Sequence, residues 1–168
     1  MRNKWLAITL ILCILLSFSG CQKEPEYEKP ICFYYPMQSP SYDAASSIIS
    51  AQTREGAGLN VLDDILYLYF QGPEDPALEN PFPAGLRLIS VRQENNTLYL
   101  TVSDEMAELN GLALTIACTC LTITCLDLVD VEYICIQAEN STLSGEKTII
   151  MNRDCLLLLD DSTESSGG

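Results

Sequence analysis

Leu112–Leu128 reads LALTIACTCLTITCLDL, and the architecture turns on whether this run is extended or helical. Its Thr, Ile and Cys content suits a strand, because β-branched side chains pack well on a pleated surface. Its length points the other way: strands average about 5–6 residues, and nothing between Leu112 and Leu128 marks a turn. The run therefore predicts a buried helix. On a helical wheel Leu112, Ile116, Cys120, Ile123 and Asp127 share a face, with the small residues Ala113, Ala117 and Thr124 beside it. Asn110-Gly111 predicts a break from whatever comes before.

Upstream, Asn60–Gln71 predicts a second helix. Asn60 is a good N-cap, Asp63 and Asp64 fall in the first turn where the helix dipole favours them, and Gly72-Pro73 is a stop. Val61, Leu62, Ile65, Leu66, Leu68 and Tyr69 give it an apolar face wide enough to pack on a sheet. The prolines between Pro73 and Pro83 forbid both helix and central strand. Leu86–Arg92, Asn95-Asn96 and Thr97–Val102 then predict a hairpin, with Leu98, Leu100 and Val102 alternating with polar or aromatic partners. Ser103-Asp104-Glu105 looks like a helix start, with a capping hydroxyl and two acids.

Toward the ends, Ile31–Tyr35 and Ser46–Arg54 predict two strands before the first helix. Val129–Gln137 predicts a strand after the second, Glu139–Gly145 a turn, Lys147–Asn152 a returning strand, and Cys155–Leu159 a strand or turn. The order is β-β-α-β-β-α-β-β. It implies an α+β fold with two helices packed on one face of a mixed sheet.

The first twenty residues are expected to be an export signal. Arg2 and Lys4 precede an uncharged apolar run, Trp5–Phe18, which falls short of the roughly 20 residues a spanning helix needs. Ser19-Gly20 before Cys21 resembles a bacterial lipoprotein signal, with Phe18 where an aliphatic residue is usual. Cys21 is then the lipidation site, a diacylglyceryl cysteine carrying fatty acyl chains such as palmitate. Two acyl chains hold a protein stably at a bilayer where one does not. Residues 21–30 read as a tether, 31–161 as one domain, and 162–168 as a disordered tail.

Composition narrows the chemistry. Lys and Arg number 9 against 23 Asp and Glu, and the formal net charge is −14. Such a surface disfavours nucleic acid and bare anionic headgroups, which are polyanions themselves. Histidine is absent, removing the commonest general base and metal ligand. Ser46-Ser47 and Ser165-Ser166 have no base to activate them. The pairs Asp63-Asp64, Glu74-Asp75, Asp104-Glu105 and Asp160-Asp161 are sequence neighbours rather than carboxylates facing across a cleft. Cys32, Cys118, Cys120, Cys125, Cys135 and Cys155 lack the paired short spacings of a zinc site, so no metal ligands, cofactor or catalytic residues are expected. Buried free thiols packing as small hydrophobes fit these cysteines, and a Cys135–Cys155 disulfide on neighbouring strands is left open. Asn95-Asn96-Thr97 and Asn140-Ser141-Thr142 match the glycosylation pattern but read most simply as turns.

Four pieces in order carry a family resemblance: Gly72-Pro73-Glu74-Asp75-Pro76-Ala77-Leu78, Pro81-Phe82-Pro83-Ala84-Gly85, Leu98–Ser103 with Asp104-Glu105, and Ala117–Thr124 followed by Val129–Ile136. Together they resemble the GerMN domain, a family named for a spore germination and sporulation lipoprotein. The resemblance covers residues 31–161. It implies a module similar to the ring-building modules of envelope channels, lipid-anchored on the extracytoplasmic face of the cell membrane and without enzymatic activity. Its implied partners are other envelope or sporulation proteins or further copies of itself as a homo-oligomer, with the membrane reached through Cys21. One copy is present here, whereas some relatives hold two. A stiff loop loses little entropy on docking, so Pro73, Pro76, Pro81, Phe82 and Pro83 are the candidate protein-contact residues. Phe82 is either an anchor into the module's own core or an exposed contact. The competing expectation is a lipoprotein that binds a small ligand or cell-wall fragment in an acidic cleft beside the Pro73–Pro83 loop.

Overall fold

In the computed structural model, which describes residues 30–39, 48–55 and 61–156, the elements follow the expected order β-β-α-β-β-α-β-β. The strands are β1 (Ile31–Pro36), β2 (Ile49–Arg54), β3 (Leu88–Glu94), β4 (Thr97–Val102), β5 (Tyr133–Ala138) and β6 (Ile149–Met151). The helices are α1 (Leu62–Phe70) and α2 (Gly111–Leu128), with short 3-10 turns over Asp104–Glu108 and Arg153–Leu156. The fold is α+β and its main sheet is mixed. In the order β3-β4-β5-β6, β4 and β5 run parallel and the outer pairs run antiparallel. β1 and β2 form an antiparallel pair of their own. Parallel neighbours need a long crossover, and α2 supplies it.

α2 begins at Gly111, with Asn110 at the N-cap position, so the break and the helix both fall where the sequence puts them. The buried face differs from the wheel. Leu112 is 74% exposed and Asp127 is also exposed, whereas Leu114, Ala117, Cys118 and everything from Cys120 to Leu126 are buried. A wheel assumes one buried stripe along a whole helix. Here α2 packs against both β1 and β5, and it is enclosed on all sides from Cys120 to Leu126 while its first turn and Asp127 stand at the surface. Thr124 Oγ1 accepts the Tyr34 N–H of β1 at 3.1 Å, so the helix satisfies a backbone group of that strand. By length and composition alone α2 could cross a membrane; in this fold it is the core helix.

α1 begins at Leu62, with Val61 at the N-cap position and no side-chain cap. The expected cap, Asn60, lies outside the described residues. Asp63 and Asp64 do occupy the first turn. Ile65, Leu66, Tyr69 and Phe70 are buried, but Val61, placed on the apolar face by the sequence, is 54% exposed because it precedes the helix.

β4 matches its expected span, with Leu98, Leu100 and Val102 in the core. The chain turns at Asn95, whose φ of 53° is a left-handed value that Asn tolerates. β3 begins at Leu88 rather than Leu86, with a register shift at Ile89, and β5 begins at Tyr133 rather than Val129. Ser103–Glu105 starts only a 3-10 turn. The Ser103 hydroxyl caps nothing there and instead accepts the Arg87 N–H at 3.0 Å. The Asp104 carboxylate accepts the N–H groups of Asn140 (2.9 Å) and Ser141 (3.0 Å), pinning the turn after β5. The expected export signal, Cys21, the tether as far as Lys29 and the tail lie outside the described residues.

Candidate functional site

Five aromatic rings position the proline loop. Phe33 and Tyr35 alternate inward along β1, Tyr69 and Phe70 come from the last turn of α1, and Phe82 comes from the loop itself. Tyr69 stacks on Phe33 at 5.2 Å between centroids and lies 5.0 Å from Tyr35. Phe82 meets Tyr69 (5.1 Å) and Phe70 (4.9 Å) edge-on, the arrangement the ring quadrupoles favour. It is 6% exposed, so it anchors the loop in the module's own core. The phenols are used as well: Tyr35 Oη donates to the Tyr69 carbonyl at 2.9 Å, and Tyr69 Oη to the Tyr34 carbonyl at 2.6 Å.

Hydrogen bonds then stitch the loop at both ends. Asn80 Nδ2 donates to the Phe70 carbonyl at 3.2 Å, and its Oδ1 accepts the Phe82 N–H at 3.1 Å. Gly72, at φ +90°, lets Asn80 lie where a side chain would collide: a Cβ there would sit 2.9 Å from Asn80 Nδ2. Arg54, at the end of β2, has its side chain only 8% exposed and donates to the Gly72 carbonyl at 2.7 Å. Its guanidinium also sits 5.6 Å from the centre of the Phe33 ring, with Nε 3.6 Å from Glu74 Oε1. Further along, the Ala77 carbonyl accepts the Gln38 N–H, and the Glu79 N–H donates to the Pro36 carbonyl, each at 2.9 Å. The loop's stiffness is thus cross-linking to β1 and β2 added to proline geometry.

Its prolines serve different ends. Pro76 is exposed and Pro73 half-buried on one limb, while Pro81 and Pro83 are half-buried on the other and wall a groove of about 390 Å³. The opposite walls are Pro36, Met37 and Ile48 from the β1–β2 end, and Leu109, Ala113 and Ile116 from the start of α2 and the residue shortly before it. Among the described residues, Glu79 is the one charged residue in the lining. Sequence reasoning placed the loop but missed Arg54, Asn80 and the contribution of α2. Arg54 alone carried a signal, as an isolated cation ending an otherwise uncharged strand.

Among the described residues no three Cys, Asp or Glu side chains converge to hold a metal ion. The six described cysteines are free thiols, Cys135 and Cys155 included, and four are buried. Burial pushes Cys118, Cys120 and Cys125 up to about 12, so they stay protonated and pack as small hydrophobes.

No family model matches the chain, and neither does any curated protein. Solved structures do. The tandem GerMN domains of the sporulation protein GerM from Bacillus subtilis align over 78% of this chain at a TM-score of 0.53 and 14% identity. The aligned part is 47% of that structure, so this chain spans about half of the tandem pair. A Clostridium perfringens protein described as a lipoprotein aligns over 77% of this chain and 91% of its own length, at a TM-score of 0.48 and 16% identity. The fold is GerMN-like.

Proposed function

We propose, with the GerMN-like fold as the premise, that this protein is a non-enzymatic, lipid-anchored envelope module that acts as a protein–protein assembly component in sporulation or spore germination. The observation that carries this reading is the likeness to the GerMN domains of a sporulation protein over most of the domain. The site supports it. A docking module gains from a rigid, largely apolar surface, because rigidity lowers the entropy lost on association. The groove has that character. Cys21, the proposed acylation site, places the module at the outer face of the membrane.

Deletion of the coding sequence is expected to lower the yield of heat-resistant spores or to slow their germination. A deletion strain with normal spores and normal germination overturns the reading. The second reading, a small ligand or wall fragment, draws on the groove's volume, which lies in the range of ligand pockets. It is the weaker one, because the Asn80 amide is already committed to the backbone and one carboxylate does not make an acidic cleft. Saturable binding of a cationic or glycan ligand by the purified protein would favour it.

A further inference from the structure

The groove's chemistry says what kind of segment it can receive, given that docking reading. Three of its wall residues, Pro36, Pro81 and Pro83, have no N–H to offer. Other wall N–H groups are already spent: Met37 donates to the Ile48 carbonyl at 2.8 Å, Gln38 to Ala77, Glu79 to Pro36, and Phe82 to the Asn80 side chain. An added β-strand binds through a row of free backbone groups, and this wall does not supply one. Recognition falls to side chains. Met37, Ile48, Leu109, Ala113 and Ile116 offer an apolar floor, and the ring in the described lining, Phe82, is nearly buried and already packed edge-on against Tyr69 and Phe70.

The charges around that floor have one sign. Glu79 lines it, and Glu108, next to Leu109, is exposed. No basic side chain among the described residues lines the groove. Arg54 is committed to Gly72, Arg92 to Glu94 and Arg153 to Asp127, and the chain as a whole carries −14. Opposite potentials steer encounter and set register, whereas like charges across an interface are costly.

We infer that the groove receives an apolar segment of another protein, bounded by Lys or Arg and seated through its side chains rather than as an added strand. Glu79 selects the basic flank, and the helical start of α2 and the two loop prolines select the apolar ridge. This inference rests on the assembly reading above, but its chemistry can be tested separately.

The test uses the full chain in the membrane of its own cells, with a photo-reactive benzoylphenylalanine at Ala113. A control carries it at Tyr67, which is 66% exposed on α1 and outside the groove. The Ala113 probe is expected to join a segment of another protein whose apolar residues are bounded by Lys or Arg, as mapped by peptide mass spectrometry, and the Tyr67 probe is not. Glu79→Lys is expected to lower the yield by about fivefold while leaving the circular dichroism unchanged, and exchanging the mapped basic flank for Glu is expected to restore it. A mapped segment with acidic or neutral flanks, another copy of this chain, an unchanged yield in the Glu79→Lys variant, or no cross-link from Ala113 would each overturn the inference. Normal sporulation in the deletion strain together with a basic-flanked cross-link would sink the assembly role and leave the groove chemistry standing. A spore defect with an acidic-flanked segment would do the reverse.

Discussion

Tyr69 has no exposed surface, yet its hydroxyl keeps a partner in the Tyr34 carbonyl, and its ring touches Phe33, Tyr35, Phe70 and Phe82. Tyr69→Phe keeps the stacking and leaves the carbonyl short of a donor, which is expected to cost about 1–2 kcal/mol. The urea midpoint should fall with the slope unchanged. The same burial makes the core sensitive to alkali. Desolvation raises the hydroxyls of Tyr35 and Tyr69 above their ordinary 10.0, and lifts the thiols of Cys118, Cys120 and Cys125 from 9.0 to about 12. As pH rises the unfolded chain releases these protons first. Their contribution is therefore complete below 9.0, the ordinary thiol value, and is lost progressively as pH climbs through about 12, with the tyrosines adding to the loss above 10.0. A urea midpoint that stays level from about pH 8 to about pH 11 would contradict this account.

At the scale of elements, α2 separates two kinds of leucine that look alike in sequence. Leu112→Lys, at an exposed first turn, is expected to change stability by no more than about 0.5 kcal/mol. Leu121→Ala, with no exposed surface, is expected to cost about 2–5 kcal/mol through lost burial and the cavity left behind. Equal effects at the two sites in chemical unfolding would contradict the exposure of the first turn and the enclosure of Leu121. The proline loop has its own critical position. Gly72 combines a left-handed φ with a close approach to Asn80, so Gly72→Ala strains the backbone and displaces the amide that ties Phe70 to Phe82. A loss of about 2 kcal/mol or more is expected, seen as a lower thermal midpoint together with faster proteolysis between Pro73 and Pro83.

For the whole molecule, the proposed membrane attachment has to be reconciled with a strongly acidic chain, because membrane headgroups are anionic. Net charge of −14 repels such a surface, so electrostatics does not supply the attachment. Two acyl chains on Cys21 would, since each buried methylene contributes about 0.8 kcal/mol. Cys21→Ala is therefore expected to move the protein from the membrane pellet to the soluble fraction, and recovery in the pellet after a high-salt wash would refute the proposed anchor.

Much of this architecture was legible in the order of its residues. The Leu112–Leu128 helix, the β4 alternation, the turn at Asn95-Asn96 and the stop at Gly72-Pro73 all follow from periodicity, length and backbone restrictions acting within a few residues of one another. The groove could not be read that way. Pro36, Glu79 and Ala113 stand far apart in the chain, and only the folding of β1, the loop and α2 against each other makes them neighbours. Burial was decided at the same level. Leu112 and Leu121 share a helix and a side chain, and Phe82 could have faced either way, but which surface loses its water depends on what packs beside it. Local backbone preference acts along the chain; desolvation acts through space, and here it chose the core.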